Sequence, residues 1–130
     1  MTDLQVPVSP GELLDKITIL RIKSRRMHDA AKVANVRLEL QLLERIWAML
    51  GAATQQVASD EQALQDVNER LWDIEDRIRA KEAAHSFDQD FIELARAVYH
   101  QNDERAAIKK RVNVALGSRI VEEKSYQPYR

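Results

Sequence analysis

Hydrophobic residues recur every three or four positions along most of the chain, which is the spacing that places side chains on one face of an α-helix. The clearest run extends from Val33 to Leu50, and another extends from Leu64 to Ile78. Only short terminal fragments could be extended, so the pattern favours helices over strands. We predict four helices, over residues 10–27, 30–50, 60–84 and 88–116.

Helix-start signals separate these runs. The sequence SPGE at residues 9–12 is typical of a capping box, in which the serine hydroxyl accepts a helix N–H and Glu12 reaches back to the serine N–H. Asp29 is placed to cap the second helix. The sequences SDEQ (59–62) and SFDQ (86–89) are similar signatures for the third and fourth helices.

Glycines and terminal segments complete the predicted architecture. Gly51 and Gly117 each follow the last apolar position of a run, where a left-handed backbone ends a helix. Residues 51–58 are predicted to form a loop, and the terminal segments are predicted to be extended. We expect three side chains to pack the C-terminal segment onto the helices: Ile120, Val121 and Tyr126. The predicted fold is all-α, a single domain over residues 1–130 that forms a four-helix bundle of two αα-hairpins.

Two of the predicted helices are apolar on more than one side. In the first, Ile19 and Ile22 lie roughly opposite the run that begins at Leu13. In the second, four apolar residues lie away from the main run: Leu38, Leu42, Ile46 and Met49. A helix that is apolar on two sides needs a cover, so we predict a homodimer through helices 1 and 2, or docking to another protein. The alternative is that the terminal segments cover these faces within one chain.

Composition narrows the classes of function. The chain of 130 residues has no cysteine, which excludes a disulfide framework, a thiolate metal site and a cysteine nucleophile. Three glycines are too few for a glycine-rich phosphate loop. The N-terminus resembles no signal peptide, and the longest uncharged stretch, residues 46–59, is too short and polar to span a bilayer. We therefore expect a cytoplasmic protein that does not enter a membrane.

The net charge of −1 conceals a segmental pattern. Residues 16–37 hold seven bases and one acid, residues 60–76 hold seven acids and one base, and residues 105–130 hold seven bases and two acids. We interpret this pattern as helices of opposite charge that lie side by side. We do not expect nucleic-acid binding, because the basic stretches lack interleaved aromatic residues and match no known motif.

Polar residues at helical spacing on partly buried faces form the candidate ligand-binding site: Lys16, Lys23, Glu39, Trp72, Glu75, Asn102, Arg105 and Lys109. Buried charges need partners, so we predict ion pairs within this set. The predicted acceptors are Glu39 and Glu75, and the predicted donors are Lys23, Arg105 and Lys109. Such a network either sets the register of the helices or binds a small carboxylate or phosphate compound. The sequence leaves both roles open.

No catalytic constellation, metal site or cofactor is predicted. The three histidines have no partner at the spacing of metal ligands, and the serines have no base at the spacing of a catalytic triad. The acids of the third helix do not reproduce the paired E-x-x-E and E-x-x-D motifs of all-helical nucleotide pyrophosphohydrolases.

Several segments together resemble an uncharacterised family of small bacterial helical proteins: VPVSPGELLDKITILRIK, NDERAAIKKRVN and VEEKSY. The resemblance extends from about Val6 to Tyr126. That family has no established activity, so the resemblance carries over no functional residue. It implies an occurrence near genes for cell-surface polysaccharide assembly.

The segment from Leu13 to Arg26 is also similar to the first helix of short helical chorismate mutases, which hold a dicarboxylate with arginine and lysine side chains. The arginine-centred spacing of that family is not reproduced here. The interpretation that the sequence favours is a non-enzymatic helical interaction or regulatory module. The alternative is a small-anion-binding protein or enzyme that uses the Lys/Arg/Asn/Glu cluster.

Overall fold

The computed structural model describes residues 2–130, and Met1, which belongs to the predicted domain, lies outside the described residues. Within them the helices are α1 (Pro10–Arg26), α2 (Ala30–Ala48), α3 (Ala58–Ala83) and α4 (Gln89–Ala115), with a 3₁₀-helix, Gly51–Val57, before α3. No residue from 2 to 130 lies in a β-strand. The predicted all-α helical bundle is confirmed, and each predicted helix end lies within two residues of the observed one.

Local capping chemistry explains most of the helix starts. Ser9 and Asp29 cap α1 and α2 as predicted, because each side-chain oxygen accepts the backbone N–H three residues later, at 3.2 and 3.0 Å. Asp88 caps α4 in the same way at 3.0 Å, rather than Ser86. Instead of completing the capping box, Glu12 binds a lysine of α4 at 2.8 Å. The first helix start is therefore tied to the last helix.

The prediction of a loop over residues 51–58 is wrong. Gly51 does adopt a left-handed conformation, with φ of 59°, but the following residues continue as the 3₁₀-helix. Val57 at its end is completely buried in the core, which holds the segment against the bundle. The Ala58 N–H is bonded to the carbonyl of Gln55, so α3 starts without a side-chain cap and the predicted cap at Ser59 lies inside the helix.

α1 is the centre of the bundle. It packs against α2, α3 and α4, whereas no Cα of α2 lies within 8 Å of a Cα of α3 or α4. Ile22 is buried, so this part of the second apolar face of α1 is covered by the chain itself. The core cluster consists of Leu14, Ile17, Trp47, Val57, Leu64, Val67, Ile108 and Val112.

The oppositely charged segments lie side by side, as predicted. Arg21 of α1 binds Glu61 of α3 at 2.8 Å, and Arg26 binds Asp73 at 2.7 Å. Glu69 accepts from two arginines of α1, at 2.8 and 3.2 Å. Solvent-accessible pairs of this kind contribute only about 0–1 kcal/mol each, so they align α1 with α3 more than they hold the fold together.

The C-terminal segment, residues 118–130, has no helix or strand and lies against α4; we call it the tail. The apolar side chains expected to anchor it are exposed: Ile120, Val121 and Tyr126. That expectation is wrong, because the tail is attached by polar contacts. Glu122 binds Lys109 at 3.2 Å, and the Tyr129 hydroxyl donates to Asp103.

Candidate functional site

A buried polar cluster joins α1, α3 and α4. It consists of Asp15, Thr18, Asn68 and Arg105, and we call it the Asp15 network. The amide nitrogen of Asn68 donates to Oδ1 of Asp15 and to Oγ1 of Thr18, both at 2.9 Å. The Thr18 hydroxyl in turn donates to the backbone carbonyl of Asp15 at 2.8 Å. The polar groups of α1 and α3 therefore satisfy each other away from water.

Arg105 closes the network with two parallel hydrogen bonds. Its Nε donates to Oδ1 of Asp15 at 2.8 Å, and its Nη2 donates to Oδ2. This forked geometry is the strongest form of arginine–carboxylate pairing. The hydrogen bond to Asp15 raises the pKa of Arg105 above its ordinary value, although burial opposes the shift. The Asp15 side chain is 2% exposed and that of Arg105 is 30% exposed, so the buried carboxylate is neutralised by a cation that reaches the surface.

The predicted partners of Arg105 and Lys109 are wrong. Glu75 pairs with Arg79, one turn further along α3, at 3.0 Å. Glu39 pairs with Lys16 at 2.7 Å, on the α1–α2 side of the molecule. The two acids lie on exposed helix surfaces, where a neighbour on the same or the adjacent helix is the nearest cation. Asp15, one helix across from Arg105, is the acid that needs a buried partner.

Lys109 of α4 lies between two carboxylates. Its ammonium binds Glu12 of α1 at 2.8 Å and Glu122 of the tail at 3.2 Å, and its side chain is 12% exposed. Burial by itself lowers the pKa of Lys109, but hydrogen bonds to Glu12 and Glu122 and the charge of Asp15 outweigh it and raise that pKa. Lys109 therefore remains protonated and links the two ends of the chain to α4.

The tail and α4 enclose a cleft of about 810 Å³, which we call the tail cleft. Its lining includes the two cationic ends described above, Arg105 and Lys109, beside Asn102. The tail contributes Glu122, Lys124, Tyr126, Gln127 and Tyr129, and α1 and α4 contribute Glu12, Val98, Tyr99, Asp103 and Ala106. Hydrogen bonds from Lys124 and Lys109 hold the pKa of Glu122 below its ordinary value.

Five of the eight predicted site residues lie in one region. Asn102, Arg105 and Lys109 line the tail cleft, and a shallower groove of about 410 Å³ brings Trp72 and Glu75 beside Asn102 and Arg105. The other three predicted residues lie elsewhere. Lys16 and Glu39 pair with each other, and Lys23 forms no ion pair within residues 2–130. The structure thus assembles the α3 and α4 members of the set and separates the α1 and α2 members from them.

The outer face of α2, together with its C-cap residue Met49, carries a line of exposed apolar side chains. Leu38, Leu42, Ile46 and Met49 are 59, 42, 52 and 83% exposed, and we call them the α2 outer stripe. The opposite side of the same helix packs on α1, with Val36 and Trp47 buried. The sequence pattern of two apolar faces on the second helix is thus present in the fold, with one face uncovered.

Sequence reasoning missed two residues that organise the site. Asp15 lies beside the apolar residues of α1, and a single acid in such a run is a signal for a buried ion pair. Glu122 lies in the tail, where no periodicity indicates which helix the segment touches. Its position could not be obtained from spacing along the chain.

Two further properties of the described residues concern metal-binding groups and membrane-spanning helices. Among residues 2–130, no three His, Asp or Glu side chains are grouped so that they could hold a metal ion. None of the helices described here combines the length and apolar character needed to cross a bilayer.

The fold and the site define a small all-α helical protein with a buried aspartate–arginine pair, a cleft of charged and aromatic residues beneath its tail and an apolar helix face. The chain belongs to a family of unknown function (DUF6165), whose model matches residues 4–129. No curated protein matches it. No solved structure matches it either.

Proposed function

We propose that this chain is a non-enzymatic helical interaction module of the bacterial cytoplasm, and that it dimerises through α2. The observation that carries the proposal is the α2 outer stripe. Its side chains extend over three helical turns, about 16 Å at 1.5 Å per residue, which is enough for helix–helix packing. α2 packs only on α1 among the α-helices, so this face is free for a second molecule.

A second copy of the chain is the occupant that the stripe fits. Leu38 and Ile46 are equally distant from Leu42 along the helix. A two-fold axis at Leu42 therefore places Leu38 of one copy opposite Ile46 of the other, as an isologous interface requires. No member of the stripe is charged, so the four side chains themselves bring no charge into the contact.

The paired state of the polar residues supports a structural role for them. Asp15 accepts hydrogen bonds from Asn68 and Arg105, and Lys109 is held by two carboxylates. A bidentate ion pair at the centre of the bundle fixes how α4 lies against α1, which is the register role that buried polar groups can have. The connection to cell-surface polysaccharide assembly remains a prediction from the family resemblance.

The oligomeric state tests the proposal. Light scattering coupled to size-exclusion chromatography should give twice the chain mass of 15.0 kDa at micromolar concentration. Leu42→Glu should give the mass of one chain with unchanged helical circular dichroism, because two buried carboxylates would face each other at the two-fold axis.

Val114→Glu is the matched control, because Val114 is an apolar residue of α4 that is 69% exposed. This variant should remain dimeric. A monomeric wild-type chain, or a Leu42→Glu chain that is still dimeric, would show that α2 is not a dimer interface.

A further inference from the structure

We propose that the tail cleft binds a small molecule that carries a phosphate or carboxylate group on a flat ring, with this anion replacing Glu122 on Lys109 and Lys124. The site lies on α4 and the tail and is independent of the α2 outer stripe. Its volume of about 810 Å³ is within the range of small-molecule sites, about 300–1,000 Å³.

The position of Glu122 indicates where the anion binds. One oxygen of its carboxylate is 3.2 Å from Nζ of Lys109, and the other is 2.6 Å from Nζ of Lys124. A carboxylate between two ammonium groups occupies the place that an anionic ligand would take. The Glu122 carboxylate therefore competes with an external anion for the two lysines, and a ligand with stronger acceptor oxygens can displace it.

Arg105 has hydrogen-bonding capacity left for such a ligand. Its bonds to Asp15 use Nε and Nη2, whereas Nη1 has only a 3.4 Å contact with Asn102. Since a guanidinium has five N–H donors, Nη1 can donate into the cleft that Arg105 lines. Arg105 can do so without releasing Asp15, which keeps the bundle intact when a ligand binds.

Aromatic rings provide the contact for the flat part of the ligand. The rings of Tyr99 and Tyr129 contact each other, with their centroids 4.7 Å apart and their planes tilted by 60°. Tyr126 lines the same cleft with 74% of its surface exposed. Nζ of Lys124 lies 5.9 Å from the centroid of the Tyr126 ring, which brings a cation and an open aromatic face together. A ring that bears an anion can contact both at once.

The tail can move to admit a ligand. It has no regular secondary structure, and its apolar side chains Ile120 and Val121 are exposed rather than inserted in the core. Its attachments to α4 through Lys109 and Lys110 are ion pairs at 3.2 and 3.7 Å. Lys109 keeps its bond to Glu12 at 2.8 Å when a ligand anion takes the place of Glu122, so its ammonium stays paired throughout the exchange.

Isothermal titration calorimetry of the full chain with four probes tests the site. Phenyl phosphate and benzoate combine the ring with each kind of anion, inorganic phosphate supplies the anion alone, and phenol supplies the ring alone. We expect phenyl phosphate or benzoate to bind at least about tenfold more tightly than inorganic phosphate or phenol, as the loss of one good contact predicts. Whichever of phenyl phosphate and benzoate binds more tightly shows whether the site prefers a phosphate or a carboxylate group.

Two substitutions then connect binding to the proposed residues. Glu122→Gln removes the competing charge and should tighten binding of the ring anion by about tenfold, whereas Lys109→Met should weaken it by at least that factor. Lys124→Met, at a partly exposed position, should also weaken binding and poses little risk to folding. Arg111→Met is the matched control, because Arg111 of α4 pairs with Asp60 of α3 and does not line the tail cleft, so binding of the ring anion should be unchanged.

Three outcomes would overturn the proposal. The first is no heat of binding for any probe with either the wild-type chain or Glu122→Gln. The second is binding of phenol that equals that of both ring anions. The third is unchanged binding in both Lys109→Met and Lys124→Met. Binding seen only with Glu122→Gln supports the proposal, because it shows that Glu122 occupies the site.

Discussion

α1 and α2 look alike in sequence and have opposite positions in the molecule. Both carry apolar residues on two sides of the helix. α1 is surrounded by three helices, and even its acid Asp15 is buried and paired. α2 packs on α1 with one side and exposes the other. Two apolar faces on a helix therefore indicate a need for cover, and only the packing shows whether the same chain provides it.

The largest expected effect compares Leu14 of α1 with Leu42 of α2. Leu14→Ala should lower the free energy of unfolding by about 2–5 kcal/mol, because it leaves a cavity in a fully buried site. In dilute solution, where a dimer dissociates, Leu42→Ala should lower the free energy of unfolding by only about 0.5 kcal/mol. Urea denaturation measures both values. Equal losses at low concentration would mean that α2 is covered within the single chain.

A smaller effect is expected from the charge of Asp15. Asp15→Asn should lower the free energy of unfolding by about 3 kcal/mol, since it leaves Arg105 partly buried without its anion. Glu75→Gln breaks the exposed pair with Arg79 and serves as the control. It should lower the free energy of unfolding by less than about 1 kcal/mol. A loss for Asp15→Asn as small as that of the control would show that the network does not organise the bundle.

The smallest of the three effects concerns the contact between α1 and α4. A Cβ on Gly11 would lie 2.5 Å from the backbone oxygen of Lys109, and the Gly11 N–H donates to Oδ1 of Asn113 at 2.7 Å. Gly11→Ala should therefore destabilise the chain by about 1–3 kcal/mol. On an uncovered helix the same substitution should stabilise by about 0.5–1 kcal/mol, so thermal denaturation distinguishes the two cases by sign.

Much of the fold could be predicted because its signals act between residues close in sequence. Ser9 and Asp29 cap helices because a side-chain oxygen reaches an N–H only three residues away. Gly51 and Gly117 have φ of 59° and 66°, which is the conformation that their positions after apolar runs predict. The 3₁₀-helix could not be predicted because Val57, at its end, packs in the core against residues that are distant in sequence.

The candidate site was predictable only in part. Arg105 and Lys109 could be singled out because long cations at helical spacing on a partly buried face need partners. Which acids they meet could not be predicted, because Asp15 lies on another helix and Glu122 on an irregular tail. Spacing along one helix contains no information about the rotation of its neighbour.

The sequence by itself determined the helices, most of their ends and the pairing of a basic with an acidic segment, because periodicity, capping and net charge depend on local composition. The tertiary structure alone decided that α1 is central, that Gly11 must remain small and that Asp15 neutralises Arg105. These features depend on which helix faces are brought within a few ångströms of each other. Which faces come into contact depends on how the apolar surface of the whole chain packs together, so it cannot be read from a local sequence pattern.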